Sequence, residues 1–230
     1  MSGVRLELVA GTATHLRGAN GSGKTSLLRV LAGLAAPRRG VVRSAGSRAF
    51  VPEKVVLASA MRPGEWLRCM RALRGLPPVD WPEAAISSGL EASVLQRPSA
   101  TLSKGMLQRI ALLDAMHADC DVVLLDEPFA GLDDRGRDWL ADRVGDRLAA
   151  GGAVLYTDHS SAAGRRLNAA RTLWLEGGTC SSAAVTNERL VSICAVHRDG
   201  RRIDAWVDTA TSDDCLRELL ADGWHIERVR

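Results

Sequence analysis

The sequence predicts an α/β fold in which a mostly parallel sheet is covered by helices, and three stretches carry that prediction. A glycine-rich run, Gly18-Ala19-Asn20-Gly21-Ser22-Gly23-Lys24-Thr25, follows the strand-like Thr14-His15-Leu16-Arg17 and precedes Leu27, Val30, Leu31 and Leu34 at helical spacing. The unbroken apolar run Val122-Val123-Leu124-Leu125 has the character of a strand buried on both faces of a parallel sheet. A helical stretch from Arg135 to Ala150, ended by Gly151-Gly152, leads into another apolar strand, Ala153 to Tyr156. Strands alternating with helices in this way build a doubly wound core.

Taken in order, Val4 to Val9 alternates apolar and polar residues and is expected to form a strand, with Ala10-Gly11 turning into the strand that feeds the glycine-rich loop. Pro37 is expected to stop the helix after that loop. Val41-Val42 and Arg48-Ala49-Phe50-Val51 read as two further short strands. Next, Trp66, Leu67, Met70, Leu73 and Leu76 recur at helical spacing, interrupted by Pro77-Pro78 and Trp81-Pro82, which marks residues 55–109 as a helical insertion. The core around it is residues 1–54 and 110–187. Residues 188–230 read as a small α+β appendage. Leu190 to Val196 and Arg202 to Asp208 flank the hairpin signal Asp199-Gly200. Ser212 is placed to cap a helix with Asp213 and Asp214 in its first turn and Leu216, Leu219 and Leu220 on one face. Trp224 to Val229 completes a β-β-α-β order.

Composition narrows the function. The 230 residues are 46% hydrophobic and 25% charged, with no apolar run as long as a membrane span. Met-Ser-Gly-Val-Arg lacks the charged and apolar regions of a secretory signal, so a cytosolic protein is expected. Cys69, Cys120, Cys180, Cys194 and Cys215 are odd in number and never spaced C-x-x-C, which argues against a disulfide framework or a zinc site. A net charge of +3 from 30 basic and 27 acidic residues gives no concentrated basic face, and no nucleic-acid partner is expected.

The glycine-rich run matches G-x-x-x-x-G-K-[ST] at every fixed position. Gly18, Gly21 and Gly23 let successive backbone N–H groups, with those of Ala19, Asn20 and Ser22, turn inward on an anion. Lys24 supplies charge to the β- and γ-phosphates, Thr25 a hydroxyl to Mg²⁺, and the helix start at Thr25 and Ser26 its dipole. The apolar strand that runs into Asp126-Glu127-Pro128 places one carboxylate to hold Mg²⁺ through water and a second to polarise the water that attacks the γ-phosphate. A nucleoside polyphosphate with Mg²⁺ is therefore the expected ligand, with Lys24 and Glu127 in the chemistry.

Leu102-Ser103-Lys104-Gly105-Met106-Leu107-Gln108-Arg109 resembles the signature sequence of ABC ATPases, in a variant form. Ser103 can cap a helix there, and its N-terminal amides with that of Gly105 make a second anion site. Two further segments follow the family's order. Ala130-Gly131-Leu132-Asp133 resembles the loop through which two subunits communicate, with Asp133 its acidic residue. Thr157-Asp158-His159 resembles the switch segment whose histidine, here His159, contacts the γ-phosphate. The resemblance implies a RecA-like P-loop NTPase core with an ABC helical subdomain. It also implies a homodimer or heterodimer in which the loop of one subunit and the signature of the other close on one ATP. Hydrolysis would then drive a separate polytopic membrane permease, which holds the subunit on the inner face of the cell membrane.

Three departures from the family pattern stand out. Glu53 occupies the place where a glutamine usually touches Mg²⁺, and a carboxylate there also repels the γ-phosphate. Lys104 and Met106 replace the commoner Gly and Gln, a variant similar to bacterial exporters of drugs and antibiotics. Only 17 residues precede Gly18, so the strands that usually carry an aromatic stacked on adenine are expected to be missing, and weak ATP over GTP discrimination follows. The short start and Leu16 to Gly21 are also similar to haem-exporter ATPases of cytochrome c maturation, whereas Trp224-His225-Ile226-Glu227 and the helix before it resemble the end of the drug-exporter subunits. The appendage weighs more here. A soluble ABC ATPase of DNA repair or translation is disfavoured, because it would carry a coiled-coil insertion or a second cassette. A regulatory nucleotide binder, suggested by Glu53, is disfavoured by the intact Asp126-Glu127 pair.

Overall fold

A computed structural model describes residues 4–44, 46–158, 167, 169–176, 179–183, 190–197, 202–208, 212–221 and 224–229. The chain divides into two compact units, Met1–Ser182 and Ala183–Arg230. The first contains β1 (Ala13–Arg17), α1 (Lys24–Leu31), β2 (Arg48–Val51), α2 (Pro63–Leu73), α3 (Trp81–Ser87), α4 (Lys104–His117), β3 (Val122–Leu125), α5 (Asp134–Ala149), β4 (Ala153–Thr157), β5 (Arg171–Glu176) and β6 (Thr179–Ala183). Its sheet runs in the order β2-β3-β4-β1-β5-β6. The pairs β2–β3, β3–β4, β4–β1 and β1–β5 are all parallel. The carboxyl ends of β1, β3 and β4 therefore open on the same edge, which is where open α/β sheets bind ligands.

Alternation along these strands builds a core on each face. Leu16, Leu124, Leu155, Leu173 and Leu175 face α1 and meet its Leu27 and Leu28. Ala13, Val123, Leu125, Val154 and Tyr156 face the other way and join one large cluster with Leu67, Trp81, Leu113 and Leu140 from the helices. Each helix of that layer has a defined start. Pro63 opens α2, Asp80 accepts from the Glu83 N–H at 3.1 Å to cap α3, and Ser103 Oγ accepts from the Met106 N–H at 3.2 Å to cap α4. Arg74 clamps Asp114 through two bonds of 2.6 and 2.7 Å and so ties α2 to α4. Its guanidinium is stabilised in the charged form chiefly by that bond.

Several sequence expectations are corrected. Val4 to Val9 is not a strand: Val4, Leu6 and Leu8 lean on the α1-side core, but the segment pairs with no strand of the sheet, and alternation without a ladder does not make one. Val41-Val42 is also irregular, with Val41 78% exposed and no face to bury. The helix after the loop ends at Leu31, well before Pro37. Backbone bonds from Leu34 to Arg29 and from Gly33 to Val30 close it, and they leave Leu34 exposed. α4 continues across residue 109 to His117, so the end expected for the helical insertion falls inside a helix. β5 and β6 were not anticipated.

The second unit contains β7 (Leu190–His197), β8 (Arg202–Asp208), α6 (Ser212–Ala221) and β9 (Trp224–Val229). The strands form an antiparallel sheet in the order β8-β7-β9. Buried Cys215 packs with Leu216, Leu219 and Ile226, so α6 is pinned to β9 by its apolar face.

Arg147 on α5 holds the end of α4 and the turn into β3. Its guanidinium donates to the carbonyls of Cys120 at 2.9 Å and Met116 at 3.1 Å, and also to that of Ala118. The last carbonyls of a helix have no partner within it. Arg147→Met should lower the unfolding free energy by about 2–3 kcal/mol in a urea titration while leaving nucleotide affinity unchanged.

Candidate nucleotide site

At the carboxyl edge of the sheet, Asn20, Gly21, Gly23, Lys24, Thr25, Ser26, Glu53, Asp126 and Glu127 line one cleft of about 270 Å³. Three separate parts of the sequence thus converge, because parallel β1, β2 and β3 all end on this edge, with β4 between β3 and β1. The loop is held from behind by β5: a side chain on Gly18, at φ 152°, would collide with the Leu175 carbonyl oxygen and with Ser22 Oγ. Lys24 Nζ donates to the carbonyls of Gly18 at 2.6 Å and Ala19 at 3.2 Å, which keeps the ammonium over the loop. Burial lowers its pKa, and the carboxylates of Glu127 and Asp126 oppose that shift.

Asp126 is 2% exposed. Its Oδ1 accepts from the Thr157 hydroxyl at 2.8 Å, while its buried Oδ2 has no hydrogen-bond partner. A buried carboxylate oxygen in that condition, beside Thr25 and the loop amides, fits a divalent cation with its phosphate oxygens. Glu127 is the one non-glycine residue with positive φ, 51°, among the described residues, and its N–H donates to Thr157 Oγ1 at 2.9 Å. Glu53 lines the same cleft.

The remaining expected residues lie elsewhere. Ser103 caps α4, and Gly105 packs on the loop after β3, where an added methyl group would stand 2.5 Å from the Gly131 carbonyl oxygen. Asp133 caps α5 through the Gly136 N–H at 2.8 Å and receives the buried Arg109 guanidinium at 2.7 Å. The Gly136 bond and then Arg109 hold its pKa low. Phe129 is buried and Phe50 packs into the α1-side core, so neither offers a face to a base. His159 lies outside the described residues.

A family model described as ABC transporter matches residues 1–130, which include the loop, the signature stretch and the carboxylate pair. The chain belongs to the ABC transporter family. It is 34% identical over 167 residues to the cytochrome c biogenesis ATP-binding export protein CcmA of Rhodopseudomonas palustris (strain BisB5), covering 69% of this chain and 83% of that protein. To the protein of the same name from Bordetella bronchiseptica it is 39% identical over 169 residues, covering 67% and 75%. A solved ATP-binding subunit of an ABC transporter superposes with a TM-score of 0.73 at 26% identity, over 81% of this chain and 84% of that one. The chain is thus an ATP-binding and ATP-hydrolysing subunit of an ABC transporter. Among the described residues no helix is long and apolar enough to cross a membrane.

Sequence reasoning about this ABC subunit missed Thr157 as a site residue, the Arg109 partner of Asp133, and His15. The His15 ring stacks on Tyr156 with centroids 4.7 Å apart, and its Nε2 lies 3.3 Å from the Asp158 carbonyl. Only the pairing of β1 with β4 brings them together. Burial, and next the Arg17 charge, lower the His15 pKa to about 4. A histidine that stays neutral when folded but protonates near 6.5 when unfolded takes stability away as pH falls from about 6.5 to about 4. His15→Gln should flatten that part of a urea-midpoint profile against pH; an unchanged acid limb would mean that His15 does not set it.

Proposed function

We propose that the chain is the ATPase subunit of an ABC exporter, working as a pair that closes on two ATP molecules and drives a separate membrane permease. The observation that carries this reading is the convergence of Lys24, Thr25, Asp126 and Glu127 in one cleft behind a glycine loop. The loop amides and Lys24 bind the β- and γ-phosphates and orient them. Thr25 and Asp126 would hold Mg²⁺, with Glu53 beside them, and the ion supplies charge neutralisation at the phosphate oxygens. Glu127 accepts the proton of the water that attacks the γ-phosphorus, and His159 is assigned to the same phosphate. Ser103 and Gly105 of one copy serve the nucleotide held by the loop of the other, with Asp133 at the contact between copies.

The relatives named for cytochrome c biogenesis, at 34 and 39% identity, support export in cytochrome c maturation as the second reading. The β-β-α-β order of the second unit and the Lys104 and Met106 variant support the drug-exporter type instead. Either would place the chain on the inner membrane face through its permease.

Glu127→Gln, purified in mild detergent from membranes of the native host with ATP present, should be recovered as a dimer together with a polytopic membrane protein. A monomer that leaves the membranes entirely would refute both the paired mechanism and the transport role. For Glu53, replacing the carboxylate by its neutral isostere removes like charge facing the phosphates. Glu53→Gln should raise kcat by about threefold to tenfold, the rate equivalent of ~1 kcal/mol, in steady-state phosphate release; a slower variant would show that the carboxylate assists turnover.

A further inference from the structure

We infer that Thr157, the last residue of β4, is the positioning residue that sets the backbone of Glu127 and fixes which oxygen of Asp126 faces the cleft. The inference rests on the ATPase reading of the site and adds to it a residue on a different strand.

Glu127, a residue with a Cβ at φ 51°, stands in a sparsely populated backbone region that its surroundings must hold. Its carbonyl accepts from the Ala130 N–H at 3.1 Å within the turn, and its own N–H is taken up from outside it, by β4. Thr157 is fully buried, and its register neighbour in β1 is Leu16, so the side chain cannot turn out to water. A threonine hydroxyl has one hydrogen to give and lone pairs to receive with. Here both are used, and their directions are determined. The Glu127 N–H can only donate, so it occupies a lone pair of Oγ1 at 2.9 Å. The hydroxyl hydrogen is then given to Asp126 Oδ1 at 2.8 Å.

Two consequences follow. The hydroxyl bridges the two carboxylate residues in one geometry, so that the backbone turn at Glu127 and the rotamer of Asp126 are set together. Because Oδ1 is engaged, Oδ2 is the oxygen left for the cleft, and it is the buried oxygen with no hydrogen-bond partner. Thr157 is fully buried and does not line the cleft, whereas Asp126 and Glu127 do. It acts through those two residues.

The test compares the full-length chain with Thr157→Val, which keeps the shape and deletes the hydroxyl, and with Thr157→Ser, which restores it. Two readouts are taken. The first is amide hydrogen exchange by NMR, which needs no turnover. In Thr157→Val the Glu127 amide should exchange at least about tenfold faster, while those of Leu155 and Tyr156 in β4 keep their protection; in Thr157→Ser it should stay within about threefold of the parent. The second is steady-state hydrolysis, where Thr157→Val should lose at least about tenfold in kcat with KM for ATP within about threefold, and Thr157→Ser should recover most of the rate. Equal protection of the Glu127 amide in parent and valine variant overturns the inference, as does a serine variant as slow as the valine one. If the valine variant is not folded, Thr157→Ala, which also lacks the hydroxyl, is compared with Thr157→Ser by the same two readouts and decides in its place. A parent chain that hydrolyses no ATP would sink the ATPase reading, and the exchange arm would still decide the role of Thr157.

Discussion

A carboxylate buried to 2% exposure at the end of an apolar strand is the constraint around which the rest of this site is arranged. Four residues of β3 carry Asp126 into the interior, where an isolated charge without partners is costly. The structure supplies Lys24 on one side and the Thr157 hydroxyl on another, and leaves the second oxygen buried without a hydrogen-bond partner. Charge balance in the site would thus be divided between the protein and a cation brought in with the phosphates. That division also explains why Lys24 is drawn back over the carbonyls of its own loop. Its ammonium is itself poorly hydrated and needs polar company.

The parallel sheet makes this arrangement possible. Residues from the loop after β1, from the end of β2 and from the end of β3 meet because parallel pairing aligns their carboxyl ends. β4 lies between β3 and β1 and reaches both. Thr157 faces Asp126 and Glu127, while Tyr156, on the opposite face, stacks on His15. Successive residues of one strand therefore fasten it to the carboxylate turn and to the strand that carries the phosphate loop. β5 completes the frame by closing the space behind Gly18.

The residues that line the cleft were legible in the sequence because they depend on residue type at fixed spacing. Glycines, a lysine and a hydroxyl in eight residues specify a backbone nest, and four apolar residues before two acids specify a strand end. What was not legible depends on pairing between distant residues. The alternation of Val4 to Val9 has the period of a strand, but no neighbouring strand takes up its hydrogen bonds. Thr157, His15 and Arg109 are unremarkable in sequence and gain their roles only when β4, β1 and α5 come together. The helix end was misplaced for a simpler reason: Pro37 is a stronger stop signal than Gly33, but Gly33 comes first and its capping bonds finish the helix.

The helical insertion is joined to the same carboxylate turn by a continuous run of short contacts. From Glu127 the backbone makes two tight turns, Ala130 bonding back to Glu127 and Leu132 to Phe129, and so delivers Gly131 against Gly105 at the start of α4. There is no room for a side chain at that crossing. One turn further along α4, Arg109 is bound to Asp133, whose carboxylate also starts α5. The signature stretch and the loop after β3 are therefore in van der Waals contact at one point and ion-paired at the next, the guanidinium being almost fully buried. A displacement of the Glu127 turn cannot be absorbed at Gly131 without moving the start of α4. Close packing of this kind transmits movement because it leaves no slack. The Glu127 turn and the position of the helical insertion are mechanically linked within a single chain.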